Sequence, residues 1–367
     1  MKVALAHDYL REYGGAERVL EVLHEIFPEA PVYTAYYNPA GLGINAERIK
    51  KWDIRPSWFQ HFPYANKLLS PFRIFAPMMF ESFDLSEYDL VISSSSATHL
   101  AKSVLTKPET LHISYIHTPP RFLYGYTTSF NYKKHWYTRI GGEIINHFMR
   151  IYDFEVSQRP DILIANSKNI AARIKKFYRR DSVVIYPPID IKEFNLKKQK
   201  SEYFLALNRL VRGKGTDTII EACTKLNLPL KVAGSGPEMD NLKKIAGKNV
   251  EFLGFVTDEE RVKLYSDAKA LIVASEDEDF GITSVEAQAS GTPVIAVSAG
   301  GYLETVVKGK TGEFFDGSID DLTRVLQDFD PKKYKAEDCR KQAEKFSVER
   351  FKESVLKLVE KNLSSGV

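Results

Sequence analysis

The chain has 367 residues, 44% hydrophobic and 27% charged, a length that suits two domains better than one core. Its formal net charge of +3, from 51 Lys+Arg against 48 Asp+Glu, excludes the clustered basic excess that nucleic-acid binding needs. The two cysteines, Cys223 and Cys339, lack metal-ligand spacing and read as buried thiols rather than a disulfide.

MKVALAHDYL has one Lys before a short apolar run that meets His7 and Asp8. It lacks the apolar stretch of a signal peptide and reads as a first strand. No run approaches the roughly 18 apolar residues that cross a bilayer, so a cytoplasmic location is expected. KVALAH (2–7) is followed by Gly14-Gly15 and the helical pattern AERVLEVLHEIF (16–27). YDLVISSS (88–95), LHISYIH (111–117), DILIANS (161–167) and SVVIYPP (182–188) are further buried-strand runs. The charged KEFNLKKQKSE (192–202) breaks the alternation and reads as a linker.

The pattern then restarts with YFLALNRL (203–210), LKVAGSG (230–236), VEFLGFV (250–256), ALIVAS (270–275) and TPVIAVS (292–298). TDTIIEACTKL (216–226) and DEERVKLYSDA (258–268) are helices between them. Continuous Val/Ile/Leu runs separated by helices predict parallel sheets covered on both faces. The reading is α/β: two doubly wound domains, 1–190 and 191–345, and a C-terminal helix within 346–367. Ligands of such sheets sit at the carboxyl ends of the strands. If the domains face each other, the polar strand ends line one interdomain cleft.

The segment 52–80 does not fit. It is rich in aromatics and proline and carries Arg55, Lys67 and Arg73. One reading is an irregular loop and helix tucked against the sheet. The other is an apolar, basic surface for a lipid-linked substrate or a peripheral membrane contact.

Three stretches carry candidate chemistry. In NRLVRGKG (208–215), Arg209 ends a strand, and Lys214 and Gly215 stand at a helix start, which suits a diphosphate. Gly14-Gly15 lets backbone approach a ligand, but YGGAERV lacks G-x-G-x-x-G spacing, and GSGPEM (234–239) has Met239 where the third glycine belongs. In ASEDEDFGITSVEAQASGTPVIA (274–296), Glu278 and Glu286 flank a Phe280-Gly281-Ile282-Thr283 turn. Acids so placed either lie in water or accept hydrogen bonds from vicinal hydroxyls. Asp277-Glu278-Asp279 also matches a D-x-D metal pattern, but such short acidic matches are common and no metal site is expected.

Together, the E-x7-E of Glu278 and Glu286, the F-G-I between them, the following A-x-A-S-G-T-P-V and the upstream N-R-L-x-x-x-K-G resemble the retaining glycosyltransferases of family 4. The G-G-A-E-R-V opening and FSVERF are similar to the same family. YIHTPPRFLYG (115–125), S-S-S at 93–96, IANS at 164–167 and YPPID at 186–190 resemble its mannosyltransferase-like branch, which acts in cell-envelope polysaccharide assembly. The resemblance implies the GT-B architecture: two Rossmann-like doubly wound domains with an interdomain cleft, and a last helix that crosses back to the first domain.

It further implies hexose transfer with retention, from GDP-mannose as the favoured donor or a UDP-sugar as the alternative. The acceptor would be a hydroxyl of a glycan or lipid-linked oligosaccharide, at the inner face of the membrane if membrane contact is made. Arg209 and Lys214 would neutralise the leaving diphosphate in place of a divalent ion, so no metal and no cofactor is expected. Glu278 would hold donor-sugar hydroxyls and Glu286 the ribose. His117 would sit by the sugar, and Gly14, Gly15, Phe280, Gly281, Ile282 and Thr283 would line the donor site. The base would pack near Gly254, Phe255 and Val256. A sugar-nucleotide epimerase or hydrolase, or a non-catalytic nucleotide-sugar-binding subunit, are the rival readings.

Overall fold

The computed structural model describes residues 1–68, 71–96, 100–128, 136–197 and 200–363. The chain divides into two compact units. The first takes in the residues up to Pro188, apart from 127–130, together with the segment from Phe351 onward; the second runs from Ile189 to Arg350.

The first unit contains β1 (Val3–His7), β2 (Val32–Thr34), β3 (Ile54–Pro56), β4 (Leu90–Ser95), β5 (Leu111–Ile116), β6 (Ile162–Ala165) and β7 (Val183–Val184). They form one all-parallel sheet in the order β3-β2-β1-β4-β5-β6-β7. The second unit contains β8 (Phe204–Leu207), β9 (Leu230–Ala233), β10 (Val250–Gly254), β11 (Ala270–Val273), β12 (Val294–Val297) and β13 (Gly312–Phe315), all parallel, in the order β10-β9-β8-β11-β12-β13. These are two Rossmann-like sheets. Each reverses its winding once, between β1 and β4 and between β8 and β11. Crossovers leave to opposite faces there and open a crevice at the carboxyl ends of the strands.

Burial on both faces explains the apolar runs. Every residue of β4, β5, β11 and β12 is buried. The helix Thr216–Lys225 buries Ile219, Ile220, Ala222 and Cys223 on one side. Cys223 and Cys339 are both free and buried, and burial pushes each thiol up to about 12. The C-terminal helix Val348–Leu363 buries Phe351, Val355 and Val359 at four-residue spacing. Phe351 meets the ring of Tyr115 in β5 edge-on at 6.0 Å, and Lys352 pairs with Glu25 at 2.7 Å, so its part beyond Arg350 belongs to the first unit.

The structure corrects three local expectations. The segment 52–80 is not wholly irregular, because Ile54–Pro56 joins the sheet as an edge strand. Phe59, Ala76, Met79 and Phe80 are core, while Trp58, Phe62, Tyr64, Ile74, Phe75 and Met78 are exposed; 69–70 lie outside the described residues. SVVIYPP supplies only the two-residue β7. The stretch 192–202 is not a free linker. Lys200 donates to Ser266 O, Ser290 O and Thr292 Oγ1 at 2.8, 3.1 and 2.7 Å, and burial lowers it to about 8; 198–199 are not described.

Gly215 caps the helix Thr216–Lys225 with φ +64°, and a Cβ there would fall 2.4 Å from the carbonyl oxygen of Ala274 beyond β11. We expect Gly215→Ala to cost roughly 2–3 kcal/mol, from backbone strain and overpacking together. Gly309→Ala, at φ +71° with nothing within 4 Å, should cost only about 1 kcal/mol. Urea unfolding of the two variants reads the difference.

Candidate functional site

In the second unit β8 and β11 pair side by side, Phe204 opposite Ala270 and Leu205 opposite Leu271, so their carboxyl ends emerge together at the reversal point. Arg209 is exposed just beyond β8. Lys214 precedes the Gly215 cap, and its Nζ lies 2.7 Å from Glu278 Oε2 in the turn after β11; the side chains are 24% and 19% exposed. Lys214 and Glu278, given separate roles in the sequence reading, therefore come together.

The turn holding Glu278 is set by backbone. Gly281 adopts φ +91° and caps the eight-residue helix Ile282–Ala289. Its first N–H groups, at Ile282 and Thr283, have no partner within the helix by geometry. The Gly300-Gly301 pair presses on this turn. The Gly301 N–H donates to Glu278 O at 2.9 Å, and a Cβ on Gly300 would fall 2.4 Å from that oxygen. Phe280 is buried, its ring edge-on to Phe346 at 5.2 Å, so its side chain anchors the turn instead of lining a ligand surface. Phe255, at the end of β10, is exposed. Asp277 accepts from the Thr127 N–H at 3.1 Å, and no metal-holding group of His, Cys, Asp and Glu occurs among the described residues.

Glu286 departs from the simple expectation of an open carboxylate. It is 3% exposed, its Oε1 is paired with the Arg261 guanidinium, and its Oε2 accepts from the Tyr265 hydroxyl at 3.0 Å. Arg261 is itself buried and also meets Asp258 at 3.0 Å. The sequence reading missed Arg261 and Tyr265. Their spacing of four on the helix Asp258–Asp267 puts both on one face and was the available signal.

At the reversal point of the first unit the polar groups form a buried relay. His117 Nε2 lies 2.9 Å from Ser94 Oγ, which lies 3.1 Å from His7 Nδ1; His7 Nε2 is 3.5 Å from Glu17 Oε1. Glu17 Oε2 accepts from the Gly14 N–H at 2.8 Å, so that glycine's donor is already used within its own helix start. A carboxylate at Glu17 can only accept. A neutral His7 then donates from Nε2 and accepts from Ser94, Ser94 accepts from His117 Nε2–H, and His117 Nδ1 is left as an acceptor. Burial, then the neighbouring His7, pushes His117 down to about 3. Asp8, fully buried, takes the Ser96 and Ala101 N–H groups at 3.0 and 2.8 Å and ties down the chain after β4.

The description "Glycosyltransferase Family 4" matches residues 13–193, and "Glycosyl transferases group 1" matches residues 189–346. With both sheets in place, the chain belongs to the group 1 glycosyltransferases of GT-B type. It is 27% identical over 248 residues to a D-inositol 3-phosphate glycosyltransferase of Corynebacterium urealyticum, covering 57% of this chain and 58% of that one. It is 34% identical over 158 residues to an uncharacterised glycosyltransferase of Methanocaldococcus jannaschii, covering 39% and 40%. The chain thus spans about half the length of the curated relatives it matches. Its fold is similar to that of Anabaena HepE in complex with UDP and glucose (TM-score 0.73, 18% identity, 98% and 100% covered). It is equally similar to sucrose-phosphate synthase from Thermosynechococcus elongatus (TM-score 0.74, 18% identity, both chains fully covered).

The buried histidines make stability depend on pH. His112, fully buried on β5, is also held at about 3 by burial and by Arg159 and Arg180. An unfolded chain protonates each near 6.5, so the folded state binds fewer protons between pH 6.5 and 3. Stability from these groups is full above pH 6.5 and falls as pH drops, by up to about 1.4 kcal/mol per unit for each. We expect guanidinium unfolding from pH 7 to 4.5 to show this slope, and His112→Gln to flatten it by about one such share.

Proposed function

We propose that this chain transfers a hexose, with retention of configuration, from a nucleoside-diphosphate sugar to a hydroxyl of a glycan or lipid-linked oligosaccharide. The observation that carries the proposal is the Lys214–Glu278 pair at the reversal point of the second sheet. Here a cation and a carboxylate lie 2.7 Å apart, at the crevice where this topology places ligands. In the reaction Lys214, with Arg209, takes the negative charge that builds on the departing diphosphate, and Glu278 accepts from the sugar hydroxyls. Charge stabilisation of this kind acts most strongly in the transition state, and two fixed cations do the work of a divalent ion.

The Ile282 and Thr283 N–H groups supply further donors to the diphosphate, and Phe255 and Val256 flank the base. In the first unit His117 Nδ1 is the acceptor for a sugar hydroxyl. Glu286 is the group assigned to the ribose, with its carboxylate held in place by Arg261 and Tyr265.

GDP-mannose is the donor that the YIHTPPRFLYG block favours. A UDP-sugar is the second reading, supported by the fold similarity to HepE, which is described with UDP and with UDP-glucose. Calorimetric titration with GDP, UDP and ADP in the presence of EDTA decides between them. We expect one of the first two to bind tightly without metal, and Lys214→Ala to weaken that binding and lower turnover about 100- to 1,000-fold. Binding that vanishes in EDTA would refute the metal-free mechanism, and no binding of any nucleotide would refute the proposal.

A further inference from the structure

The histidine–serine chain of the first unit starts at Glu17, the third residue of the helix Gly15–Ile26. Its two carboxylate oxygens are committed differently. Oε2 takes the Gly14 N–H at 2.8 Å, which leaves Oε1 turned to His7 Nε2 at 3.5 Å. That link is the longest in the chain and acts through charge: a carboxylate oxygen beside a ring nitrogen favours an N–H there over a lone pair. His7 and Ser94 are fully buried and Glu17 nearly so, and bulk water therefore does little to screen the effect.

The strands carry this polarity onward. His7 ends β1 in register with Ser94 of β4, and the Ser94 hydroxyl stands between His7 Nδ1 at 3.1 Å and His117 Nε2 at 2.9 Å. A hydroxyl has one proton to give. When a neutral His7 points its N–H at Glu17, its Nδ1 lone pair takes that proton, and Ser94 must accept from His117. The His117 backbone is fixed by its N–H to Ser95 O at 2.9 Å, and its ring rests on Tyr115 with centroids 4.9 Å apart. His117 is the least covered of the four residues, and the chain ends there in a lone pair at Nδ1.

We propose that Glu17 is a positioning residue of the transfer reaction. Through His7 and Ser94 it holds His117 in the Nε2–H tautomer, so that Nδ1 takes a hydroxyl as its donor and turns away an acceptor. The inference rests on the reading of His117 as the group that meets a sugar hydroxyl. Glu17 does not meet that hydroxyl itself and acts on it only through the chain.

One substitution of the same shape should reverse the whole chain. In Glu17→Gln the Gly14 N–H still needs an oxygen opposite it, so the amide oxygen takes the place of Oε2 and the NH2 group that of Oε1. His7 Nε2 then faces a donor, carries the lone pair, and gives its proton from Nδ1 to Ser94. Ser94 donates in turn to His117 Nε2, and His117 is left with N–H at Nδ1. The outward acceptor becomes a donor, although the substituted atom lies on another element.

Nitrogen-15 NMR of the histidine rings of the full chain, near pH 8, reads the tautomers without any substrate. His7 and His117 should both be Nε2–H in the parent, and both should be Nδ1–H in Glu17→Gln. Turnover is the second readout: Glu17→Gln should lower kcat about tenfold, the share of one hydrogen bond, at unchanged nucleoside-diphosphate affinity. A merely structural Glu17 would lower the thermal midpoint and leave the His117 tautomer alone. Nδ1–H at His117 in the parent, as an imidazolium at His7 would impose, overturns the proposal, and the parent spectrum decides this even if the variant folds poorly. A tautomer that Glu17→Gln leaves unchanged also overturns it, while the reading of His117 stands. A reversed tautomer with unchanged kcat removes His117 from the reaction, and Glu17 with it.

Discussion

The 2.7 Å ion pair between Lys214 and Glu278 is the interaction on which the second unit's site depends. Its partners come from different ends of the sequence pattern, one after β8 and one after β11, and meet only because those strands are neighbours across the reversal of winding. The ammonium and the carboxylate each give the other a counter-charge at this partly buried point. In the proposed reaction the pair exchanges partners. Lysine passes from carboxylate to diphosphate and the carboxylate from ammonium to sugar hydroxyls, so charged groups swap contacts without being left bare.

Backbone makes that pair possible. Gly215 brings the lysine loop against Ala274, and Gly300-Gly301 lies directly on the backbone of Glu278 and Phe280. The two units share a topology but use their reversal points differently. The first builds a histidine–serine chain rooted in Glu17, with Asp8 clamping the loop after β4. The second places charge. This division suits one unit that recognises hydroxyls and one that handles a dianion.

Much of the fold was legible because the long buried strands must be continuously apolar. VALAH, LVISSS, LHISYI, ALIV and VIAV all became strands where the runs predicted them. Val32–Thr34, Ile54–Pro56 and Gly312–Phe315 escaped, since three or four residues show no period and their place depends on a neighbouring strand. At the site, motif spacing singled out Lys214 and Glu278, but their contact was not legible, because it depends on β8 and β11 being neighbours. The burial of Glu286 was not legible either, because Arg261 lies on a separate helix and only folding brings them together. The exposed isoleucines of Trp136–Val156 were hidden for the opposite reason: an apolar helical pattern predicts a core face, and sequence does not say which of two apolar sides is turned out.

The exchange of partners at Lys214 and Glu278 is tested most directly by comparing a free nucleoside diphosphate with the corresponding nucleotide sugar on two variants. Glu278→Gln should weaken the nucleotide sugar selectively and leave the free diphosphate nearly unchanged, whereas Lys214→Met should weaken both. If Glu278→Gln weakens the two ligands equally, or leaves both unaffected, Glu278 does not hold the sugar and the account of this site is wrong.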